Sequence, residues 1–441
     1  MQSEQKIKVA LATLGCKVNY CESAALDEDF RNNNFLSVPF NSFADVYIIN
    51  TCTVTAYSDY QSRQLIRRAK KINRMAKIIV TGCYAQIAPG DISRIEGVNL
   101  IVGNSQKIII PQYINNIQNN SVTVMVDDIF AQKEFCYMPV SRFTERTRAF
   151  LKIQDGCNSL CSYCIIPFAR GRSRSMSLDK VISAVTQFIQ QHYLEIVLTG
   201  IHLGYYGQDL SFQSNLTYLL KRLIDINGNA RFRLSSIEPR EITDELINII
   251  SEEKSFCRHL HIPLQSGDDN ILASMNRDYD SHFYRQLIEK IMDKIEDIAI
   301  GVDVMVGFPG EGTAQFNNTF KLLSDLPVAY LHVFPYSERP HTAAQKIYPK
   351  VPDKTKKERA ATLRNLSLLK REKFASRFLG KKLKVLVEQS KDKKTGFFKG
   401  FSDNYLPFLI QSKNNSIANT IVEVHAEKFA DGKFYGKISN G

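Results

Sequence analysis

Three cysteines that could bind a metal occur close together, at Cys157, Cys161 and Cys164. Three residues separate the first pair and two the second, and neither a fourth cysteine nor a histidine follows nearby. Three thiolates on one short loop can hold three irons of a cubane iron–sulfur cluster and leave the fourth iron without a protein ligand. Zinc usually takes four N or S ligands, so a zinc knuckle or free buried thiols are the weaker alternatives. The spacing therefore predicts a four-iron cluster with one open iron.

A second set of cysteines is spread along the N-terminal part of the chain, at Cys16, Cys52 and Cys83. Each follows a strand-like run almost at once, and helical patterns lie between the runs, which predicts a parallel α/β sheet. The predicted strands are 7–12, 46–50 and 77–81. Because parallel strands end at one edge of a sheet, the three cysteines should meet there. Unrelated buried cysteines are the alternative, and a second three-cysteine cluster is the interpretation that we favour.

The middle of the chain has six strand–helix units, which indicates a partial, open β/α barrel. The predicted strands are 150–154, 195–199, 231–235, 259–263, 301–306 and 330–335. Barrels of this kind bind ligands at the C-terminal ends of their strands. The candidates there for binding a cofactor are Thr199, Gly200, Ser235, Glu238 and Gln265. His261 is more simply explained as a satisfied core residue at this rim.

The basic charge of the chain is concentrated at its C-terminal end. The net charge is +12, of which residues 341–441 contribute +13 and residues 1–340 contribute −1. Five short β-rich runs, beginning near residue 383, predict a small antiparallel β-barrel of OB-like character. Its lysines include Lys381, Lys382 and Lys384, and the pair Phe397-Phe398 lies among them. Basic residues with interleaved aromatics are typical of RNA-binding surfaces, although one phenylalanine of an adjacent pair normally points into the core.

The length of 441 residues allows two or three domains, and 44% hydrophobic residues is ordinary for a globular protein. No run approaches the ~20 consecutive apolar residues of a membrane span. The polar start, Met1 to Lys8, lacks the apolar core of a signal peptide, so we expect a cytoplasmic protein without a membrane partner.

These features together resemble the radical S-adenosylmethionine methylthiotransferases, and the resemblance covers essentially the whole chain. The loop Cys157–Cys164, with Tyr163 before its last cysteine, is similar to the cluster loop of that superfamily. The strings Thr13–Asn19 and Phe168–Ser175 resemble the branch that acts on N6-threonylcarbamoyladenosine in tRNA. One departure is Cys21, an extra thiol that we interpret as a bystander.

The resemblance implies three domains and two kinds of cofactor. The implied divisions are a cluster domain at 5–119, a linker at 120–141, a radical core at 142–374 and a TRAM-type RNA-binding barrel at 375–441. The cofactors would be two 4Fe-4S clusters and S-adenosyl-L-methionine, with Tyr163 among the residues that contact the latter. Cleavage of that cofactor would give a radical that removes the hydrogen at C2 of adenine 37, and a methylated sulfur from the N-terminal cluster would then join that carbon.

Implied partners are tRNA and an external electron donor such as flavodoxin or ferredoxin, and we expect a monomer. Arg170, Arg172 and Arg174 follow the cluster loop and could contact tRNA phosphates or the cofactor carboxylate. Salt bridges within the protein are the alternative for at least one of them.

Other functions remain open at this point. The enzyme could act on isopentenyladenosine in tRNA or on an aspartate of a ribosomal protein, although the basic C-terminal region argues against a protein substrate. The chain could also be a non-enzymatic iron–sulfur protein that binds RNA. An electron carrier would normally have four thiolates per cluster, whereas both sets here have three.

Overall fold

The computed structural model describes residues 6–117, 121–143, 147–210, 214–226 and 228–439. The chain divides into two compact units. The first contains Met1–Arg142, Gln154–Met176 and Ser337–Gln345, and the second contains Phe143–Ile153, Ser177–Tyr336 and Lys346–Gly441. The predicted boundary at 119/120 and the ends of the predicted domains at 5 and 441 lie outside the described residues.

The N-terminal part is a six-stranded parallel sheet flanked by helices. Its elements are β1 Lys8–Thr13, α1 Lys17–Asn32, β2 Leu36–Val38, β3 Val46–Thr51, α2 Ala56–Ile72, β4 Lys77–Gly82, α3 Cys83–Ile87, α4 Pro89–Ser93, β5 Val98–Val102, α5 Ile110–Tyr113 and β6 Thr123–Met125. The strand order is β2-β1-β3-β4-β5-β6. Apolar side chains of the central strands alternate between two cores, one on each face of the sheet. The three predicted strands are confirmed to within about one residue, and β6 lies inside the predicted linker.

The middle part supplies six parallel strands. Its elements are β7 Ala149–Lys152, β8 Gln154–Asp155, α6 Ile166–Arg170, β9 Arg174–Ser175, α7 Leu178–Gln190, β10 Glu195–Thr199, α8 Leu216–Ile224, β11 Arg231–Leu234, α9 Asp244–Glu252, β12 His259–His261, α10 Asp269–Ser274, α11 Ser281–Lys294, β13 Ala299–Val306, α12 Thr313–Asp325, β14 Tyr330–Pro335 and α13 Asp353–Ser376. Strands β11-β10-β7 form one sheet and β12-β13-β14 another. A parallel bridge between Ser236 and His261 joins them into an open, six-stranded partial barrel, as predicted.

The sequence patterns did not predict α13, a helix of 24 residues. Its buried stripe includes the polar residues Ser367 and Lys370, whereas Leu368 and Leu369 are exposed. The hydroxyl of Ser367 donates to the carbonyl of Leu331 at 3.0 Å, so a polar contact attaches this face to β14. A search for apolar periodicity misses such a helix because its buried face is partly polar.

The C-terminal part is a closed barrel of five strands. They are β15 Lys382–Lys391, β16 Phe398–Ser402, β17 Pro407–Ile410, β18 Ile421–Ala430 and β19 Lys433–Ile438. The order is β15-β16-β17-β19-β18, and the β17–β19 pair is parallel where the sequence predicted only antiparallel pairs. Phe398 is buried and Phe397 is partly exposed, so one of the pair fills the core.

No helix in the described part of the chain is both long and apolar enough to span a bilayer.

Candidate functional site

The three N-terminal cysteines meet at the C-terminal edge of the parallel sheet. Cys16 precedes α1 directly, Cys52 follows β3, and Cys83 is the first residue of α3. Burial and then the charge of Cys83 raise the pKa of the Cys52 thiol to about 11. The same neighbour acts on Cys16, so all three thiols lie within electrostatic reach of one another. The predicted convergence is therefore present in the structure, whereas their role as metal ligands stays a prediction.

Two glycines allow the backbone to place these cysteines. Gly15 and Gly82 each precede a cysteine, and both have φ near +98°, in the region that favours glycine. A Cβ atom on Gly15 would lie 2.9 Å from Sγ of Cys52, and one on Gly82 would lie 2.4 Å from the carbonyl oxygen of Thr51. A side chain at Gly15 would therefore collide with Cys52, and one at Gly82 would collide with the backbone of Thr51, the residue before Cys52.

The second cysteine set occupies a loop between β8 and α6. All three cysteines are partly exposed. The amide of Cys157 donates to the carbonyl of Gly171 at 3.0 Å, and the amide of Cys164 donates to the carbonyl of Cys161 at 3.0 Å. The amide of Ser159 donates to Sγ of Cys157 at 3.4 Å, as amides around cluster thiolates do. This loop belongs to the same compact unit as the N-terminal sheet.

A buried network of charges connects the segments that carry the two cysteine sets. Arg170 is fully buried and hydrogen-bonds Glu22 at 3.1 Å and Asp155 at 3.2 Å. Lys107, also fully buried, forms an ion pair with Glu22. Glu22 lies on α1, which follows Cys16, whereas Asp155 and Arg170 flank the cysteine loop. The charged pairs therefore fix α1 against the cysteine loop.

The same network places positive charge near the N-terminal cysteines. Although Cys16 as a residue is exposed, protein atoms crowded around its thiol raise its pKa, and the charge of Arg170 opposes the rise. The amide Nδ2 of Asn104 lies 3.9 Å from Sγ of Cys83 and donates to the carbonyl of Ala169 at 2.6 Å. Cations and N–H donors are what a set of cluster thiolates needs, so these residues fit a bound cluster.

The three arginines after the cysteine loop differ in exposure. The guanidinium of Arg170 is buried and paired with the carboxylates of Glu22 and Asp155. Arg170 therefore forms salt bridges within the protein and is not available to contact RNA. Arg174 is also buried and donates to the carbonyl of Arg170 at 2.6 Å. Arg172 is exposed and remains a candidate for RNA binding.

The predicted cofactor-binding residues at the rim of the partial barrel lie in the second unit, whereas Tyr163 lies in the first. The oxygens Oγ of Ser235 and Oε1 of Gln265 are buried and have no hydrogen-bond partner among the described residues. Gln265 also has φ of +67°, a strained value for a residue with a side chain. Buried polar atoms are normally satisfied, so these two indicate a polar ligand.

Three further rim residues complete the predicted set. Thr199 is buried at the end of β10, and Gly200 next to it is partly exposed. Glu238 forms an ion pair with Arg277. Burial raises the pKa of the Glu238 carboxyl despite this arginine. Cofactor contacts at all these residues remain predictions.

The three predicted RNA-binding lysines of the C-terminal barrel are exposed. Lys381 directly precedes β15, Lys382 is its first residue, and Lys384 follows on the same strand. Nζ of Lys382 is 3.1 Å from a carboxylate oxygen of Glu423, an exposed pair of the kind that contributes little to stability. All three ammonium groups are thus placed where an RNA backbone could reach them.

Sequence reasoning missed several residues of these sites. Glu22, Lys107 and Asn104 carry no local motif, and they join the site only through contacts with residues far along the chain. His332, which meets Asp303 and His261 inside the partial barrel, also carries no local motif. No signal in one sequence identifies such partners.

Comparison with known proteins gives the family. Residues 8–103 match uncharacterized protein family UPF0004, and residues 151–323 match the radical SAM superfamily. The chain is 40% identical over 382 residues to threonylcarbamoyladenosine tRNA methylthiotransferase MtaB of Aquifex aeolicus, which covers 86% of this chain and 93% of that one. It belongs to the threonylcarbamoyladenosine tRNA methylthiotransferase branch of the radical SAM methylthiotransferases.

Other relatives of the chain are also named as enzymes that modify tRNA, although not all for the same nucleoside. The MtaB protein of Bacillus subtilis is 38% identical, over 94% of this chain and 92% of its own. A tRNA-2-methylthio-N(6)-dimethylallyladenosine synthase of Clostridium tetani is 32% identical, over 88% and 87%. The structure of a radical S-adenosylmethionine methyltransferase, TsrM of Kitasatospora setae, shares the fold with a TM-score of 0.54, at 15% identity over 77% of each chain. Membership of the superfamily implies S-adenosylmethionine and a four-iron cluster for this methylthiotransferase.

Proposed function

We propose that the protein attaches a methylthio group to C2 of N6-threonylcarbamoyladenosine at position 37 of tRNA, next to the anticodon. The observation that carries the proposal is the pair of three-cysteine sets within one compact unit of the chain. Each set would leave one iron of a four-iron cluster open to a non-protein ligand. The relatives named for threonylcarbamoyladenosine supply the substrate.

Two four-iron clusters fit the residues that are present. Cys157, Cys161 and Cys164 would hold one, and Cys16, Cys52 and Cys83 the other. With S-adenosylmethionine bound, the first cluster would supply a 5′-deoxyadenosyl radical, which can break an aromatic C–H bond that side-chain acids and bases cannot. The raised pKa of Cys52 means that its thiol must release a proton when metal binds.

The protein's own residues orient these groups. Arg170 and Lys107 are both buried and both pair with Glu22. Burial would lower the pKa of Arg170, but the charges of Glu22, Asp155 and Cys83 raise it above its usual range, so its guanidinium compensates thiolate charge. Burial lowers the pKa of Lys107, and the charge of Glu22 opposes this effect. The unpartnered oxygens of Ser235 and Gln265 support cofactor binding along the rim formed with Thr199, Gly200 and Glu238. Tyr163 would contact the cofactor from the cysteine loop.

The partners follow from the same proposal. Lys381, Lys382, Lys384 and Arg172 would neutralise phosphates of the anticodon stem-loop, since all four are exposed. Reductive cleavage needs an electron from an external donor such as flavodoxin or ferredoxin. The protein would act as a monomer in the cytoplasm, where tRNA is found.

Nucleoside mass spectrometry of tRNA tests the proposal. A strain that lacks the gene should accumulate threonylcarbamoyladenosine without its methylthio derivative, and the intact chain should restore the derivative. A chain with Cys157, Cys161 and Cys164 changed to Ala is the matched control and should not restore it. If instead the dimethylallyladenosine derivative disappeared in the deletion strain, the substrate would be that of the Clostridium tetani relative.

A further inference from the structure

Three polar side chains meet on adjacent strands of the partial barrel, and we call them the polar triad: His261 on β12, Asp303 on β13 and His332 on β14. Nε2 of His261 lies 2.8 Å from Oδ1 of Asp303, and Nδ1 of His332 lies 3.4 Å from the same oxygen. The strand register pairs Asp303 with His332 directly. The triad therefore forms one polar patch across three strands.

The polar triad lies on the inner face of the barrel. His259 lies two residues before His261 on β12, and Tyr330 lies two residues before His332 on β14, so both share the face of the triad. Nε2 of His259 and the hydroxyl oxygen of Tyr330 are 2.8 Å apart. The ring of Tyr405 lies 4.9 Å from that of His259, and Arg233 of β11 lies 4.7 Å above Tyr405. Tyr405 therefore contacts side chains of β11 and β12, and Tyr330 of β14 hydrogen-bonds the same His259. Side chains of strands as far apart as β11 and β14 converge on the concave side of a curved sheet, so these residues form a floor and the triad lies one layer above it.

The triad can both donate and accept hydrogen bonds. Burial alone would raise the pKa of the Asp303 carboxyl, but hydrogen bonds with His261 and His332 outweigh it and hold the pKa well below its usual range. Asp303 is therefore an ionised acceptor beside two imidazoles. The exposed fraction of the side chains rises from 10% at His261 through 25% at Asp303 to 55% at His332, so a ligand can reach the triad from the side of His332.

A second observation indicates a polar organic ligand in this part of the barrel. The backbone amide of Gln265 donates to the carbonyl of Asp303 at 2.9 Å, which places Gln265, with its unpartnered Oε1, beside the triad's strand β13. The unpartnered hydroxyl of Ser235 belongs to the segment next to His261, because the amide of Ile237 donates to the carbonyl of His261 at 3.0 Å. Neutral hydroxyl and amide oxygens suit an organic ligand that offers donors.

We propose that the polar triad binds the threonylcarbamoyl group on N6 of the target adenosine and thereby selects it over an apolar N6 substituent. This rests on the proposed function. The threonylcarbamoyl group carries a carboxylate, a hydroxyl and amide groups, whereas a dimethylallyl group is a hydrocarbon. A site built to hydrogen-bond its substrate can reject an analogue without those groups by about 10⁴–10⁵, because its own polar groups stay unpaired.

The same three residues could also hold a divalent cation, since two histidines and a carboxylate are a known ligand set for Fe²⁺ and Zn²⁺. The unpartnered Gln265 and Ser235 oxygens favour the organic ligand, because an ion would be satisfied by the triad without them. The experiment below separates the two.

The test compares two synthetic anticodon stem-loop RNAs, one with threonylcarbamoyladenosine and one with dimethylallyladenosine, as substrates of the reconstituted holoenzyme. The variants are His332→Leu and Asp303→Asn, and the matched control is His282→Leu, an exposed histidine on α11. We expect each triad variant to lower kcat/KM for the threonylcarbamoyl RNA by about 100-fold and to reduce the ratio of the two kcat/KM values. The His282→Leu protein should equal the wild type.

Three outcomes would overturn the inference. The ratio between the two RNAs could stay at its wild-type value in both triad variants. Uncoupled cleavage of S-adenosylmethionine, measured without RNA, could fall in parallel, which would assign the triad to cofactor binding. A stoichiometric metal beyond the cluster iron, lost in His332→Leu, would assign it to ion binding. If the wild type modified only the dimethylallyl RNA, the proposed function itself would be wrong, which is a distinguishable result.

Discussion

The buried charge network around Arg170 gives the sharpest prediction about stability. Arg170→Met removes the guanidinium from a site where Arg170 is 0% and Glu22 2% exposed, and it leaves two carboxylates, Glu22 and Asp155, without that partner. Removing one member of a buried ion pair costs about 3–5 kcal/mol, because the remaining charge stays buried. Lys107 still pairs with Glu22, so we expect a loss of about 3 kcal/mol, near the lower end of that range.

Urea denaturation of anaerobically reconstituted protein, followed by circular dichroism, measures this loss. Arg172→Met is the matched control, since Arg172 is exposed two residues away and should change stability by less than about 0.5 kcal/mol. The double variant Arg170→Met/Glu22→Gln should lose less than the sum of the single losses, by about 1–3 kcal/mol.

Iron content provides a second measurement on the same proteins. Because the network joins the segments that follow Cys16 and flank Cys157, Arg170→Met should also retain less iron at both cysteine sets. A loss below about 1 kcal/mol with wild-type iron content would refute the reasoning, since a buried pair of this kind cannot be broken so cheaply unless water enters the site.

Three further predictions concern the cysteines and the lysines. Changing Cys157, Cys161 and Cys164 to Ala should halve an iron content of about eight per chain and stop the formation of 5′-deoxyadenosine; unchanged iron would contradict the cluster assignment. Changing Cys16, Cys52 and Cys83 to Ala should spare cleavage of S-adenosylmethionine but abolish methylthiolation, and Cys21→Ser should retain most activity unless Cys21 is a ligand. Changing Lys381, Lys382 and Lys384 to Ala should make the salt dependence of tRNA binding shallower, by about 2–3 in the slope of log K against log salt. An equal slope, or the same effect from changing the exposed lysines Lys180, Lys254 and Lys294, would show that recognition lies elsewhere.

Substitution of lysines is a better test than removal of the C-terminal barrel. The barrel strands share one hydrophobic core with residues outside the barrel. These are Phe374 on α13, Phe378 just after it, Ala299 and Ala329. Removing the chain from about Gly380 would expose that core and would confound RNA binding with misfolding. The charge change alone leaves the packing intact.

Features that depend on local pattern could be predicted from the amino-acid sequence alone. The alternation of strands and helices gave the parallel sheet, the six-stranded partial barrel and the C-terminal barrel, because each element has its own periodicity and its own turns. The spacing of Cys157, Cys161 and Cys164 indicated a three-thiolate site, because residues this close in sequence lie on one short loop. Convergence of Cys16, Cys52 and Cys83 followed from the rule that parallel strands end at one edge.

The burial of charged residues, and the contacts between them, became visible only in the folded protein. Arg170 looks like an RNA contact beside Arg172, yet it is enclosed by Glu22, which lies 148 residues earlier. His261, Asp303 and His332 come from three strands, and nothing near any of them in sequence names the other two. A polar side chain is stable in the interior only with partners, and those partners are chosen by contacts between distant segments that local pattern does not encode.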